Sequence, residues 1–126
     1  MGGGIRLYDP PKSRAYKQVV GLKGRSYMAK NHLAPCTEPL KVTLGFYFKP
    51  PKSYSRKRLN AIQSRRELFV KKPDADNLSK IVLDGLNGIC YVDDSQVVEL
   101  NIIKQYADTD YTTVKIEPIY TEEELN

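Results

Sequence analysis

Between Leu40 and Phe48 the chain alternates strictly, with Leu40, Val42, Leu44, Phe46 and Phe48 on one side and Lys41, Thr43, Gly45 and Tyr47 on the other. A period of two is that of a strand with one buried face, and Pro50-Pro51 stops it. Residues 5–8 form a shorter strand ended by Asp9-Pro10-Pro11. Residues 13–33 carry Tyr16, Val19, Val20, Tyr27 and Met28 at helical spacing, although Gly21 and Gly24 weaken that helix and can split it. Pro35 and Pro39 mark a loop. Ser53 or Ser55 caps a helix over residues 55–66, whose apolar stripe is only Leu59 and Ile62. Residues 71–74 are expected to be extended, biased by Pro73. Asp76 or Asn77 then caps a helix to Leu86 with Leu78, Ile81, Val82 and Leu86 inward, and Asn87-Gly88 ends it. A short strand over 89–92, a turn at Asp93-Asp94, a strand over 96–106, a turn at 108–110 and a strand over 111–120 follow, the last with Val114, Ile116 and Pro118 inward. Residues 1–4 and 121–126 are expected to be flexible ends. Strands and helices mixed in this way predict an α+β domain, a mixed or antiparallel sheet packed against two or three helices.

At 126 residues with 40% hydrophobic content, the chain suits one domain with one modest core, residues 1–126. No apolar run is long enough to span a membrane, and the N-terminus lacks the apolar centre of a signal peptide. Two cysteines, Cys36 and Cys90, without a secretory signal point to free thiols in a reducing, cytoplasmic setting, where they act as small buried hydrophobes. His32 is the only histidine, which leaves little support for multi-histidine zinc sites or a Ser-His-Asp relay.

The formal charge of +5 hides a division along the chain. Residues 1–72 carry +14 and residues 73–126 carry −9. Within the basic part, Lys49, Lys52, Arg56, Lys57, Arg58, Arg65, Arg66, Lys71 and Lys72 stand against a single acid, Glu67. So many cations cannot pair among themselves, so they are expected to grip phosphates, with an affinity that falls steeply with salt. Tyr47, Tyr54 and Phe69 lie beside them and could stack on exposed bases, although Tyr47 and Phe69 fit packing roles better. Lys12, Arg14, Lys17, Lys23, Arg25 and Lys30 could extend the footprint.

The densest chemistry follows directly: Asp74, Asp76, Lys80, Asp84, then Asp93-Asp94. In an extended segment, Asp74 and Asp76 share a face about 6.5–7 Å apart at the Cα atoms, and such close like charges call for a cation between them. Mg²⁺ takes one or two carboxylates and leaves its other positions to water and phosphate oxygens. The Asp93-Asp94 turn, 19–20 residues on, can bring a third carboxylate to the same place, a cradle for phosphodiester hydrolysis. Lys80, four residues after Asp76 on the same helix, can face the scissile phosphate, or simply pair with Asp84. Taken singly, Asp76 could be only a cap and Asp93-Asp94 only a turn. A calcium loop of the EF-hand type is excluded, because Ser79 and Gly85 stand where it needs Gly and Glu.

Lys72-Pro73-Asp74-Ala75-Asp76-Asn77-Leu78-Ser79-Lys80, Leu83-Asp84-Gly85-Leu86-Asn87-Gly88 and Val92-Asp93-Asp94-Ser95-Gln96-Val97 together resemble the RusA family of Holliday junction resolvases. The resemblance is strong over residues 71–106 and looser before them. It implies a RusA-like fold and an endodeoxyribonuclease, phage- or bacterium-encoded, that nicks branched DNA in recombination and repair. It also implies a homodimer that uses Mg²⁺, with Mn²⁺ as a substitute. The family's catalytic roles fall on Asp74, Asp76, Asp94 and Lys80, with Asp74, Asp76 and Asp94 as metal ligands and Asp93 the alternative to Asp94. Lys52, Arg56, Lys57, Arg58, Arg65, Arg66, Lys71 and Lys72 form the expected DNA surface. A two-fold dimer would match the symmetry of a four-way junction that needs two cuts. The alternatives are a non-catalytic phage DNA-binding protein, whose acids only cap and turn, and a nuclease for other branched DNA or RNA.

Overall fold

The computed structural model describes residues 4–8 and 15–120. The Asp9-Pro10-Pro11 breaker, Lys12, Ser13, Arg14 and the acidic end, 121–126, lie outside the described residues. The elements are β1 (Gly4–Leu7), α1 (Tyr16–Lys30), β2 (Leu40–Phe48), α2 (Arg56–Gln63), α3 (Ala75–Leu86), a 3₁₀ turn (Asp94–Gln96), β3 (Val97–Tyr106) and β4 (Tyr111–Pro118). The four strands form one mixed sheet in the order β1-β4-β2-β3. β4 is antiparallel to both β1 and β2, whereas β2 and β3 run parallel, and β3 is left as an edge. This is the expected small α+β domain.

The strict alternation of β2 is borne out: Leu40, Val42, Leu44, Phe46 and Phe48 are all buried. They meet Val20 and Met28 from α1, Leu78, Val82 and Leu86 from α3, and Val114 and Ile116 from β4 in one core. Tyr16 ties α1 to β4 by donating its hydroxyl proton to Thr112 Oγ1. On the other face of the sheet Tyr47 stacks on Tyr111, with centroids 4.4 Å apart, so Tyr47 is a packing residue. Phe69 stacks on Phe48 at 4.4 Å and meets Tyr106 edge-on, and it too belongs to the fold's packing. Cys36 and Cys90 are free thiols.

Four expectations are corrected. Gly4 is not a loose end but pairs with Lys115 in β1. α1 is not split by Gly21 and Gly24: both are buried, and they allow α3 to come close. A Cβ on Gly24 would lie 2.6 Å from Leu86 Cδ2, and one on Gly21 would lie 3.2 Å from the Gly85 carbonyl oxygen. Close helix packing outweighs the modest helix-propensity cost of glycine. Residues 89–92 are not a strand. They are a turn closed by Gly88 N–H to the Tyr91 carbonyl, with Tyr91 forming isolated bridges to Cys36 and Asn87. Finally, α3 starts at Ala75 with Asp74 as its N-cap residue, earlier than Asp76 or Asn77.

Candidate active site

That earlier start reshapes the acidic pair. Asp74 has extended backbone angles, φ −71° and ψ 146°, and its carbonyl accepts the Leu78 N–H, but its side chain makes no capping hydrogen bond. Asp76 lies in the first helical turn, where its carbonyl accepts the Ser79 hydroxyl at 2.8 Å. The two acids therefore straddle a helix start instead of sharing one extended face. Both side chains are exposed. Lys80 stands one turn further on, also exposed. Among the described residues no ion pair joins Lys80 to Asp76 or Asp84, so the simple helix pair is not formed.

The opposite face of α3 anchors this array. Leu78, Val82 and Leu86 are buried, and Gly85 presses on α1. At the C-terminal end, Tyr91 donates its hydroxyl proton to the Leu83 carbonyl. Burial first, then the charges of Asp94 and Asp84, push the Tyr91 phenol pKa up, so it stays a proton donor to that carbonyl.

The Asp93-Asp94 turn separates the roles of its two acids. Asp93 is the N-cap residue of the 3₁₀ turn: its carboxylate accepts the Ser95 hydroxyl at 2.8 Å, which lowers its pKa, and its N–H donates to Gln96 Oε1 at 2.8 Å. Gln96 in turn donates to the Cys36 and Glu38 carbonyls, both at 2.9 Å, fixing the turn to the loop before β2. Asp94 is the half-buried first residue of the turn and has no capping role.

A single chain does not bring the three acids together. Among the described residues no three His, Cys, Asp or Glu side chains form a group able to hold a metal ion. The reason is topological. Asp94 precedes Val97 at one end of β3, whereas the segment leading into Asp74 is held by Lys104 at the other end. Lys104 Nζ donates to the Lys71 carbonyl at 2.8 Å and the Pro73 carbonyl at 3.1 Å. Val97 and Lys104 are about 23 Å apart at strand rise. Asp74 and Asp76 therefore offer a two-carboxylate set of hard oxygen donors, which suits Mg²⁺, but the expected third ligand is at the far end of the strand.

Two comparisons bear on this site. The model of the family Endodeoxyribonuclease RusA matches residues 1–117. The chain belongs to the RusA endodeoxyribonuclease family. An uncharacterized protein of Bacillus subtilis (strain 168), YqaN, is 33% identical over 119 residues, covering 93% of this chain and 82% of the relative. RusA membership makes the protein an endodeoxyribonuclease by family.

The basic segment expected to meet DNA lies just before the acids. α2 opens on Arg56, Lys57 and Arg58 with no acid in its first turn, and Ser55 caps it by accepting the Arg58 N–H at 3.2 Å. Cations at a helix N-terminus oppose the macrodipole, so an anion beside them is favourable. The expected DNA residues divide into two groups. Arg58 is held within the fold, its guanidinium 3.6 Å over the Tyr54 ring and 2.9 Å from Glu67, and Lys71 donates to the Tyr54 hydroxyl. Lys52, Arg56, Lys57, Arg65, Arg66 and Lys72 are exposed and, among the described residues, in no ion pair. Lys104 and Tyr91 escaped the sequence reading, and Gln96 entered it only as part of the family motif, without its role in fixing the turn. Lys104 carried a signal: it breaks the inward series Ile102, Lys104, Tyr106 with a cation.

Proposed function

We propose that the protein is a Mg²⁺-dependent endonuclease that resolves four-way DNA junctions by paired symmetric nicks, as a homodimer in a bacterial or phage-infected cytoplasm. The observation that carries this reading is the exposed, uncapped Asp74–Asp76 pair at the start of α3, with Lys80 one turn on, in a chain of the RusA family. Asp74 and Asp76 would hold the metal, which when bound activates water and stabilises the leaving oxygen. Mn²⁺ has the same preference for oxygen donors and would substitute. Lys80 meets the charge that builds on the scissile phosphate. The exposed cations of α2 and of residues 65, 66 and 72 hold the DNA arms.

In this reading the dimer supplies what one chain separates. Among the described residues β3 is an edge strand with no partner on its outer side, and it exposes Val98, Leu100 and Ile103. A two-fold axis across the middle of β3 would pair it with a second copy, hide the edge and set Asp94 of each chain against Asp74 and Asp76 of the other. The isolated geometry also favours a second reading, a non-catalytic DNA-binding module, because among the described residues no three-acid group closes within one chain.

The test is incubation of the protein with labelled four-way, flap and linear duplex DNA, with and without Mg²⁺. Paired nicks in the four-way junction only when Mg²⁺ is present support the proposal. Binding without cutting favours the module, and cutting of flaps but not junctions moves the substrate to other branched DNA.

A further inference from the structure

Lys104 is a cation on the inward side of an edge strand, where an isolated charge costs free energy unless it is used. Among the described residues it is paired with no acid. Its ammonium donates to the carbonyls of Lys71 and Pro73, at 2.8 Å and 3.1 Å, and lies 5.2 Å from the centroid of the Phe69 ring. Two of its three donors are thus spent on backbone, and the ammonium also lies over an aromatic ring. Little is left for a DNA phosphate.

The two carbonyls bracket the residues just before Asp74. The Pro73 carbonyl and the Asp74 N–H belong to one rigid peptide plane, so pinning that oxygen fixes the direction in which the Asp74 backbone leaves the loop. On the other side the Asp74 carbonyl is held by the Leu78 N–H of α3. Asp74 is therefore clamped from both sides, by the helix after it and by Lys104 before it. The same segment is also tied sideways, since the Lys71 side chain reaches the Tyr54 hydroxyl and Tyr54 lies under Arg58 of α2.

We infer that Lys104 is a positioning residue for the metal-binding carboxylate of Asp74, acting through the Pro73–Asp74 peptide. The inference rests on the nuclease reading for its catalytic consequence, but its structural part stands alone. Groups that orient a ligand in this way alter metal affinity or activity by about 10- to 100-fold when removed.

The test compares Lys104→Met, which keeps the apolar stem and loses the donors, with wild type and Lys104→Arg. In Lys104→Met, hydrogen–deuterium exchange over residues 70–76 should rise, and half-saturation of cleavage by Mg²⁺ should move upward by about tenfold. Junction binding, measured with Ca²⁺ in place of Mg²⁺, should stay within about twofold, and Lys104→Arg should recover most of the Mg²⁺ response. Unchanged exchange and an unchanged Mg²⁺ requirement in Lys104→Met overturn the inference. So does an equal fall in binding and rate with no change in Mg²⁺ requirement, the pattern of general damage to the fold. If Lys104→Met does not fold, ¹⁵N spectra of the wild-type lysine ammonium groups decide. Slowly exchanging Lys104 protons support the clamp, and exchange as fast as in the exposed lysines overturns it. A wild-type protein that cuts no branched DNA defeats the nuclease reading instead, and the exchange data then judge the clamp separately.

Discussion

Gly85 of α3 abuts the backbone of Lys17 in α1: a Cβ at position 85 would lie 2.9 Å from the Lys17 carbonyl oxygen and 3.0 Å from Val20 Cγ1. Because the first obstacle is backbone, the clash cannot be relieved by a rotamer change. Gly85→Ala gains up to about 1 kcal/mol of helix propensity but forces the two helices apart, at a cost of about 1–3 kcal/mol. A net loss of up to about 2 kcal/mol is expected, read as a lower urea midpoint with an unchanged slope. An unchanged or raised midpoint would show that α1 and α3 can separate without cost. Since α3 carries Asp74 and Asp76 at its other end, the same variant tests whether the acids depend on this seat.

Alkaline pH should weaken the fold through Cys90. Burial pushes its thiol from 9.0 up to about 11. Below pH 9 the thiol is protonated in both folded and unfolded chains, and its contribution is fully present. Between pH 9 and 11 the unfolded chain releases the proton while the folded one keeps it, so stability is lost as pH rises, by about 2 kcal/mol. Above pH 10 burial adds the same sign from Tyr106, pushed up to about 12. Tyr54 opposes them weakly: the Lys71 hydrogen bond lowers its pKa, but the group is exposed and screened. Urea unfolding at pH 8, 9 and 10 checks the thiol. Cys90→Ala should flatten the decline between pH 9 and 10, and an undiminished slope in that variant assigns it elsewhere.

The exposed cations make a quantitative claim about DNA. Arg65 and Arg66 follow α2, and no acid pairs with either among the described residues. If each neutralises a phosphate, changing both to Ala should lower the slope of log K against log salt by about 1.8 in magnitude and weaken junction binding at low salt. Arg58→Ala should behave differently, reducing stability more than the salt slope, because its guanidinium is already committed to Glu67 and Tyr54. Equal salt slopes for wild type and the double variant would remove residues 65 and 66 from the DNA surface.

What could be read from the chain follows from how local each cause is. The alternation of β2 was legible because one burial direction governs all nine residues. The apolar face of α3 was legible for the same reason, in a period of 3.6. Gly21 and Gly24 misled because their local cost is visible in sequence, while the facing helix that they admit is not. Residues 89–92 look like a strand because four apolar residues fit a buried turn equally well. The site divides along the same line. Asp74, Asp76 and Lys80 were found together because they share one helix start. Asp94 was expected beside them because its distance along the chain allows it. The parallel pairing of β2 with β3, a long-range choice, sends it to the opposite end of the strand.

That separation makes the downstream acids the sharpest test of mechanism. Asp76→Asn keeps the size of the side chain and removes the charge. Asp76 is exposed and, among the described residues, its carboxylate makes no hydrogen bond or ion pair, so stability should stay within about 0.5 kcal/mol. Cleavage should fall to below about 1% of wild type, the scale of loss when a group that stabilises the transition state is removed, while junction binding is kept or tightened as repulsion toward phosphate falls. Asp93 and Asp94 should then part ways. Asp93→Ala breaks the Ser95 hydrogen bond and should act mainly on stability, read as a lower urea midpoint, with cutting retained. Asp94→Ala should leave the turn intact and abolish cutting. If the proposed two-fold arrangement holds, mixing Asp76→Asn with Asp94→Ala should restore partial cutting. In the mixed dimer the partner pairing leaves one site with both of its acidic ends unaltered and puts both changes in the other. Single nicks from the mixture, where neither variant alone cuts, are the expected result. Their absence despite proven mixed dimers would return the third acid to its own chain.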